Sequence, residues 1–503
     1  MLLLIGMISG CTDSQQSVQT QATTAVTVPT ISEPVVVTEP AVRLDQAAFP
    51  DSLATFHGND LWANPTTGND ANTGTTRTTA LRTVGEAWRR VPAGTTLTTG
   101  YHLHLTAGHY PVDALVNYWE DRHGTVAAPI IVEAADGAHT VVFDGDINMY
   151  AVSYFALIGV DIIRDGDAFH CEHCDHILIR DSELSGGTGA HETVKVNQSQ
   201  YLFIESSDIH GADDNAIDFV AVQYGHVTGN RIHGAQDWCM YTKGGSAYLT
   251  VSGNEVYDCG TGGITAGQGT GFEFMVAPWL QYEAYGIRIT DNVVHDTEGA
   301  GLGVNGGYNI LLAGNTLYRV GTRSHLVEFV HGSRSCDGDT ATCAAHLAAG
   351  GWGPSNTGDV PIPNRHVYFY NNITVNPAGV QSQWQHFEIQ GPTTPPAGSH
   401  APNPSVADDD VRIVGNVIWN GSADMPLGIG DSTGCAPTNP TCNATQLTSS
   451  NRINTWQPQM IDPAHGDYRL TPTSQAAMPP AAAPPAFVWA DAPTGVTAPM
   501  AWL

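Results

Sequence analysis

The chain contains only two lysines, Lys195 and Lys243, among 503 residues that otherwise carry their positive charge on 17 arginines. A lysine amine can lose its proton and act as a base, whereas an arginine guanidinium stays protonated in proteins. The two lysines are 48 residues apart, close to twice the length of a repeat in this region. We therefore expect both amines on one face of the fold, where they could accept a proton or bind an anion. The alternative is that a lysine-poor composition leaves two lysines at unrelated positions.

The elements that position these lysines belong to a repeat between about residues 140 and 420. Each copy has an alternating apolar strand, then Asn or Ser, a variable residue, an aliphatic residue and His or Tyr. From Ser182 to Asn315, successive copies start 25, 23, 24, 38 and 23 residues apart, and the step of 38 contains an insertion of about 14 residues. The copies are Ser207-Asp208-Ile209-His210, Asn230-Arg231-Ile232-His233, Asn254-Glu255-Val256-Tyr257, Asn292-Val293-Val294-His295 and Asn315-Thr316-Leu317-Tyr318, and Ser182, Asn371 and Asn416 extend the series.

This repeat predicts an all-β fold, a right-handed parallel β-helix built as a single-stranded solenoid with about 24 residues per coil. Equivalent residues of successive coils then stack at the spacing of paired strands. The Asn column should form a ladder of buried amides beside a ladder of aliphatic side chains. The His and Tyr column should stack rather than catalyse. The amphipathic stretch from Ala80 to Val91 is expected to cap the first coil as a helix.

The composition of the chain ends predicts four segments. Residues 1–11 form a short apolar run whose end, Ile8-Ser9-Gly10-Cys11, resembles the processing site of a bacterial lipoprotein, so we expect lipidation at Cys11 and an outer-membrane or cell-surface location. Residues 12–52 are expected to be a flexible tether. The β-helix domain should span 53–475, with loop insertions, and an Ala/Pro-rich tail should occupy 476–503. The apolar run is too short to span a membrane, so the lipid would be the membrane anchor.

Charge and cysteine content limit the partners and the compartment. A formal charge of -30 argues against nucleic acid or anionic lipid as a partner, because repulsion would oppose the encounter. We expect a monomer. The eight cysteines after Cys11 suit an oxidising compartment, and Cys336 with Cys343 and Cys435 with Cys442 are expected to form local disulfides. Between residues 170 and 176, Cys171 and Cys174 could form a third disulfide, remain buried thiols or bind zinc.

The candidate catalytic face is defined by the strand that precedes each ladder residue. Counting back 12 residues from the ladder gives one outward column, consisting of His170, Lys195, Asp218, Thr242 and Gly303. In the fourth coil, however, Met240 and Thr242 suit the core better, which turns Tyr241 and Lys243 outward through a one-residue shift. The candidate catalytic residues are therefore Lys243, Lys195, Tyr241 and His170. A lysine beside a second cation has a lowered pKa, although Asp218 between the lysines opposes that effect.

Substrate-binding candidates flank this face. They are Glu192 and Trp238 on the strands, Asn305 on a later coil, and Trp279 and Tyr282 in the insertion that runs from Gly267 to Tyr285. The insertion could form an aromatic wall for sugar rings or a loop that packs its own hydrophobic residues. A second insertion, from Cys336 to Pro363, could form the opposite wall.

The coil repeat and the end signatures resemble the secreted right-handed β-helix proteins that act on polysaccharides, including pectate lyases, alginate lyases with chondroitinase B, and polygalacturonases. The strand lysine with nearby aspartates is similar to the family nine pectate lyases. That resemblance implies Lys243 as the base and a calcium ion held by Asp213, Asp214, Asp218 and Asp237. Calcium takes six to eight oxygen ligands, which turns of neighbouring coils can supply. The phrase Glu192-Thr193-Val194-Lys195 is similar to a strand of the alginate lyase and chondroitinase B family.

These resemblances imply a polysaccharide lyase that cleaves an acidic, uronate-containing polysaccharide by β-elimination with a lysine base. Such a reaction removes a weakly acidic proton beside a carboxylate, so it needs a positioned base and neutralisation of that carboxylate. One alternative is a glycoside hydrolase that uses Asp213, Asp214 and Asp237. Another is a surface protein that binds glycans without cleaving them, because this fold carries many functions.

Overall fold

The structure is a computed structural model that describes residues 58–276, 281–356, 358–421, 424–430 and 433–485. The predicted signal peptide with Cys11, the tether, the last residues of the C-terminal tail and Trp279 lie outside the described residues. Among the described residues, no helix is both long enough and apolar enough to cross a membrane.

Three long parallel sheets surround a common apolar core, and successive coils of the chain add strands to each sheet in turn. Sheet A contains Asn59–Ala63, Tyr101–Leu105, Ile130–Ala134, Ser153–Ile158, Asp175–Arg180, Gln200–Glu205, Gln223–Thr228, Ser246–Ser252, Ala284–Tyr285, Arg288–Thr290, Gly307–Ala313, Arg365–Tyr370 and Asp409–Val414. Sheet B contains Gly108–Tyr110, Val141–Phe143, Val160–Ile163, Glu183–Ser185, Asp208–Ala212, Arg231–Ala235, Glu255–Cys259, Val293–Thr297, Thr316–Tyr318, Ile373–Asn376, Val417–Asn420 and Arg452–Ile453. Sheet C contains Trp119–Glu120, Ile147–Tyr150, Phe169–Glu172, Glu192–Asn197, Asn215–Val220, Trp238–Lys243, Gly262–Gly267, Ala300–Asn305, Val327–Val330 and Phe387–Ile389.

This arrangement confirms the predicted right-handed parallel β-helix, whose hand is the one that parallel strand connections adopt. A small separate sheet is formed by Gly269–Gly271, Gly332–Ser335 and Val360–Ile362, and a hairpin by Met460–Asp462 and Asp467–Leu470. The α-helices are Val84–Arg89, Thr340–Ala348, Ala444–Ser450 and Pro472–Ala477, and the short 3-10 helices are Arg77–Thr79, Val112–Ala114, Phe272–Phe274 and Pro463–His465.

The predicted aliphatic ladder lies in the core. Its members pair in register from coil to coil and are fully buried; they are Ile209, Ile232, Val256, Val294 and Leu317. Burying one such side chain contributes about 2 kcal/mol to stability. Each coil from Leu184 to Leu317 supplies one and Thr374 takes the position in the next coil, so the ladder stabilises the stacking along the central part of the axis.

The predicted amide ladder is also present, and it runs parallel to the aliphatic one. In each step, the backbone N–H and the side-chain amide of one Asn donate to the side-chain oxygen of the next, at 2.9 to 3.0 Å between Asn230 and Asn254 and likewise onward. The sequence placed Asn371 in this ladder, but Asn372 occupies the position. Asn371 instead has a left-handed backbone, with φ of 57°, and bonds to Ala482. The adjacent asparagines made the repeat phrase ambiguous by one residue.

The His and Tyr column forms a stack, as predicted. Ring centroids are 4.8 Å apart between His210 and His233, 4.4 Å between His233 and Tyr257, and 4.9 Å between Tyr257 and His295. The rings are nearly parallel at each step. The column therefore stabilises the face of sheet B.

Both ends of the core are covered by short helices. The predicted N-terminal helix spans Val84–Arg89, a shorter range than Ala80 to Val91, because the Thr83 side chain accepts a hydrogen bond from the Glu86 backbone and so caps the helix there. Its buried residues join the core. At the other end, Ala444–Ser450 buries Leu447 against the same core.

Four disulfides involve all eight cysteines of the described residues. They are Cys171–Cys174, Cys239–Cys259, Cys336–Cys343 and Cys435–Cys442. The two predicted local disulfides are confirmed. The zinc interpretation of residues 170–176 is wrong, since both thiols there are bonded to each other.

Replacing Asn292 by Ala should destabilise the fold, because Asn292 is both acceptor and donor within the buried ladder. The change removes the acceptor of the Asn254 backbone N–H and of one of its side-chain N–H groups, together with the donor to the Val251 carbonyl, and should lower the free energy of unfolding by about 3 kcal/mol. Urea denaturation followed by circular dichroism measures this loss. Asn356→Ala, at an exposed loop position, is the matched control and should have little effect. Equal losses in both variants would contradict a stabilising role for the ladder.

Candidate active site

The outward column of sheet C brings four predicted site residues onto successive strands. His170 pairs in register with Lys195, Lys195 with Asp218, and Asp218 with Tyr241. Tyr241 thus takes the position that simple counting gave to Thr242, and the one-residue shift is confirmed. The additional residue is accommodated at Gly244-Gly245, where both backbones are left-handed, with φ of 64° and 82°.

Both lysines line one cleft of about 480 Å³ over this face. The cleft also includes three other predicted site residues, Tyr241, Glu192 and Asp214. Phe274, an aromatic residue of the first insertion, also lines the cleft. Residues that the sequence did not single out complete the lining: Glu172, His191, Asn197, Gln198, Val220, Gly269, Thr270, Gly271, Ser335 and Asp337. The cleft therefore combines cations, carboxylates and one exposed aromatic ring.

The two insertions form one wall of the cleft together, rather than two opposite walls. Gly269–Gly271 from the first insertion pairs with Gly332–Ser335, which leads into the second. Phe272 packs against the disulfide between Cys336 and Cys343. Phe274 is 51% exposed and its backbone oxygen accepts a hydrogen bond from Gln198 at 3.1 Å, which joins the wall to the cleft floor.

A buried ion pair anchors this wall to the coil that carries Lys243. Glu283 and Arg334 are both fully buried and are 2.5 Å apart at their closest polar atoms. The other oxygen of Glu283 accepts hydrogen bonds from the Thr270 hydroxyl at 2.6 Å and from the Gly244 backbone at 2.9 Å. Since Gly244 directly follows Lys243, the wall and the lysine are held by the same carboxylate.

Lys195 is held by two carboxylates, those of Glu192 and Asp218. Its Nζ donates to Glu192 at 2.7 Å and forms a shorter contact with the fully buried Asp218. Burial alone would lower the pKa of Lys195, but Asp218 and Glu192 outweigh it, so the pKa lies above its ordinary value. Of the two opposing effects that the sequence left open, the one from the carboxylates therefore dominates at Lys195. Lys195 is a charged structural group and is not suited to be a base.

Lys243 has a different environment, with the Tyr241 hydroxyl as its hydrogen-bond partner. Its Nζ donates to that oxygen at 2.9 Å and lies 4.2 Å from the centroid of the Tyr241 ring. Within the part of the chain that the structure describes, no carboxylate oxygen lies within 4.0 Å of this Nζ. Burial, followed by the nearby carboxylates, raises the pKa of Tyr241 far above its ordinary value, so this phenol keeps its proton.

Two carboxyl groups at the cleft rim have opposite pKa shifts. Burial raises the pKa of Asp214 to about 6, and the neighbouring Asp237 contributes to the same shift. Burial also opposes ionisation of Glu192, but Lys195 and His191 outweigh it and lower the Glu192 pKa. His191, which is 72% exposed, lies 2.8 Å from Glu192, and this hydrogen bond raises the His191 pKa. The rim thus holds an ionised carboxylate beside a carboxyl that gains a proton at mildly acidic pH.

Four other predicted site residues do not line the described cleft. His170 lies one strand beyond Lys195, with Asn197 3.4 Å from its ring nitrogen. Trp238 is buried, because Gly262 and Gly303 in the next two coils leave the space that its ring fills. Asn305 is hydrogen-bonded to Thr265 and Glu328. Tyr282 is buried in an aromatic cluster with Tyr285, Tyr308 and Trp352, so this part of the insertion packs its own hydrophobic residues.

The four aspartates proposed as calcium ligands do not converge. Asp218 is buried against Lys195, and Asp213 is exposed at a turn. Among the described residues, no three of the four aspartates bring their oxygens within 4.8 Å of one another. The predicted set therefore does not fit a single calcium ion, which needs six to eight oxygen ligands.

Sequence reasoning missed His191 and Thr270, and it identified Phe274 only as one aromatic residue of the insertion that could form a wall. His191 directly precedes the Glu192 strand, and that position could have been noticed from the coil repeat. Thr270 and Phe274 lie in an insertion that does not repeat, so its path across sheet C has no periodic signal in the sequence.

Comparison with known proteins supports the fold. The family model described as a right handed beta helix region matches residues 147–337. Similar solved structures include a rhamnogalacturonan lyase with 12% identity and a TM-score of 0.46, covering 71% of this chain and 87% of that one. The A-module of a mannuronan C-5 epimerase from Azotobacter vinelandii has 13% identity and a TM-score of 0.43, covering 66% and 89%. A lacto-N-biosidase from Eubacterium ramulus has 10% identity and a TM-score of 0.44, covering 79% and 67%.

No curated protein sequence matches the chain significantly. The likeness to these solved structures carries no argument about activity, because one fold hosts many functions.

Replacing Lys195 by Met should destabilise the protein strongly at neutral pH, because Asp218 would stay buried without its cation. Removing one partner of a buried ion pair costs about 3–5 kcal/mol. Burial already raises the pKa of Asp218, so the cost is present when this carboxyl is ionised and falls as pH decreases and Asp218 is protonated. Chemical denaturation between neutral and mildly acidic pH measures this recovery. A second Asp218→Asn substitution should restore part of the stability, and a single variant as stable as the wild type would contradict the ion-pair account.

Proposed function

We propose that the cleft binds an acidic polysaccharide and cleaves it by β-elimination. The observation that carries the proposal is Lys243, a cleft amine that contacts a phenol and forms no salt bridge with the described residues. Lys195 is held in its charged form by Glu192 and Asp218, whereas Lys243 forms no such pair with the described residues and is the cleft amine suited to act as a base. A chain with a formal charge of -30 repels an anionic polymer at long range, so binding needs a local cation, and His191 at the cleft can supply it.

The proposed reaction uses Lys243 and Tyr241 as a proton-transfer pair. Lys243 acts as the base and takes the C5 proton of the uronate, and the C4–oxygen bond of the glycosidic link breaks as the C4–C5 double bond forms. Tyr241, whose phenol is protonated, gives its proton to the departing oxygen. The hydrogen bond of 2.9 Å between the two groups then lets Lys243 return a proton to Tyr241, which restores both residues.

Other groups of the cleft support binding of the substrate. His191 at the rim can take a positive charge because its hydrogen bond to Glu192 raises its pKa, and it could face the uronate carboxylate. The exposed ring of Phe274 offers an apolar surface to the carbon-rich face of a sugar. The proposed reaction is written without calcium, and the four aspartates expected to bind it do not converge among the described residues.

We also propose that the protein acts outside the cytoplasm, as a monomer anchored by lipid at Cys11. Four disulfides support an oxidising compartment, where such bonds persist.

Lys243 variants test the reaction on pectate, alginate and chondroitin. Elimination creates an unsaturated product that absorbs ultraviolet light, and Lys243→Met should reduce its formation by about 100- to 10 000-fold, the range for loss of a general base. Lys243→Arg should be similarly inactive, because it keeps the charge but cannot serve as a base. Arg323→Met, an exposed cation that does not line the cleft, is the control and should keep the wild-type rate.

Two results would overturn parts of this proposal. An active Lys243→Arg variant would mean that residue 243 binds the carboxylate and that another group is the base. Full activity in Lys243→Met would remove the central assignment.

The second candidate function is a glycoside hydrolase, and the opposite pKa shifts of Asp214 and Glu192 favour it. Such a pair can act as a general acid and an ionised carboxylate. This function predicts new reducing ends without the unsaturated product, and activity that falls as pH rises above about 6, where Asp214 loses its proton. Asp214→Asn should then abolish activity while Lys243→Met keeps it. The reverse pattern in these two variants supports elimination, and saturable glycan binding without cleavage would contradict both reactions.

A further inference from the structure

A second cluster of ligating side chains lies on sheet A, in the first coils of the β-helix. Asp60 pairs in register with His102, and His104 pairs with Glu133 on the following strand. Their side-chain contacts run diagonally: His102 Nε2 is 2.7 Å from Glu133, and His104 Nε2 is 2.9 Å from Asp60. Three adjacent strands therefore contribute two imidazoles and two carboxylates to one group.

The two imidazoles are packed directly against each other. Their ring centroids are 3.8 Å apart, and ligand atoms of His102, His104 and Asp60 all lie within 4.8 Å of one another. The Trp62 ring stacks on His104 with centroids 4.5 Å apart and covers that side of the group. The histidine side chains are only 13% and 18% exposed, while both carboxylates are more open to solvent. The ring nitrogens are thus held in place with access from one side.

We propose that Asp60, His102 and His104, whose ligand atoms converge, bind a divalent transition-metal ion of the zinc type, with Glu133 beside His102 as the group that would complete the site. Imidazole nitrogens and carboxylate oxygens are the donors that zinc accepts, usually four in number. Two carboxylates balance the charge of a divalent ion bound by two neutral imidazoles. Calcium does not suit this group, because it prefers a larger set made of oxygen ligands only.

A comparison within the chain shows why this group differs from the other histidine pairs. His210 and His233 also stack, with centroids 4.8 Å apart, and also contact carboxylates, Glu183 and Asp208. They lie on successive coils as part of the stack on sheet B, and among the described residues they do not form a convergent group of three ligands. His102 and His104 instead lie on one strand, two residues apart, and share a face.

A bound ion would join the first three strands of sheet A beside the N-terminal helix. It would stabilise that end of the β-helix, because binding to the folded state alone shifts the folding equilibrium. This site lies on a different sheet from the cleft, so its occupation and the proposed elimination are separate properties.

Zinc titration of the full chain, after treatment with a chelator and dialysis, tests the site. Calorimetry should show one zinc per chain, and replacement by Co²⁺ should give the visible absorption of a bound cobalt ion. His102→Ala with His104→Ala should weaken zinc binding by at least about 100-fold, since even loss of a group that only supports a ligand costs 10- to 100-fold. His210→Ala with His233→Ala is the matched control and should bind zinc as the wild type does.

The double variant Asp60→Asn with Glu133→Gln keeps the size of both side chains and controls for a folding defect in the histidine variant. This carboxylate variant too should lose tight zinc binding and the cobalt spectrum. Circular dichroism verifies the fold of each protein. Wild-type protein without a stoichiometric zinc site, or equal loss of binding in the sheet B control, would overturn the proposal.

Discussion

The register between parallel coils is the constraint on which the rest of the molecule depends. Each strand pairs with its equivalent one coil away, so every outward side chain lies directly beside the residue at the same position of the next coil. Side chains that act together on a sheet face therefore belong to the same position of successive coils. Successive strands of sheet C place the cation of Lys195, the buried carboxylate of Asp218 and the phenol of Tyr241 side by side. Like charges at these positions would repel at strand spacing.

This constraint gives the two lysines different tasks. Lys195 lies in the column itself, where Asp218 and Glu192 raise its pKa and keep it protonated. The ion pairs that it forms with both carboxylates stabilise the cleft floor. Lys243 lies two residues beyond Tyr241 on the same strand, where it pairs in register with Val220 rather than with Asp218. Its amine therefore contacts the Tyr241 hydroxyl instead of a carboxylate. The buried pair of Glu283 and Arg334 then fixes the wall against the turn that follows Lys243. The amine best suited to chemistry is the one that the column leaves without a carboxylate.

The periodic parts of the molecule could be predicted from the sequence, because a repeat translates directly into stacked coils. The aliphatic and amide ladders, the aromatic stack and the outward turn of Tyr241 all followed from it. Prediction failed where neighbours in space are not neighbours in the repeat. Trp238 is buried because two later coils have glycine beside it. Asp218 forms a buried ion pair with Lys195 and is therefore not available as a metal ligand. The cleft wall comes from two insertions whose pairing has no periodic signal.

The scarcity of lysine makes the central claim directly measurable. Reductive methylation with ¹³C-formaldehyde labels only the two lysine side chains and the chain's amino terminus, and Lys243→Arg assigns the signals in the NMR spectrum. Addition of oligouronate fragments should shift the Lys243 signal. The Lys195 signal should change little with the fragments and should titrate at a higher pH than an ordinary lysine, because of Asp218 and Glu192. Equal responses of both lysines to the fragments, or no response of Lys243, would contradict the division of tasks between them.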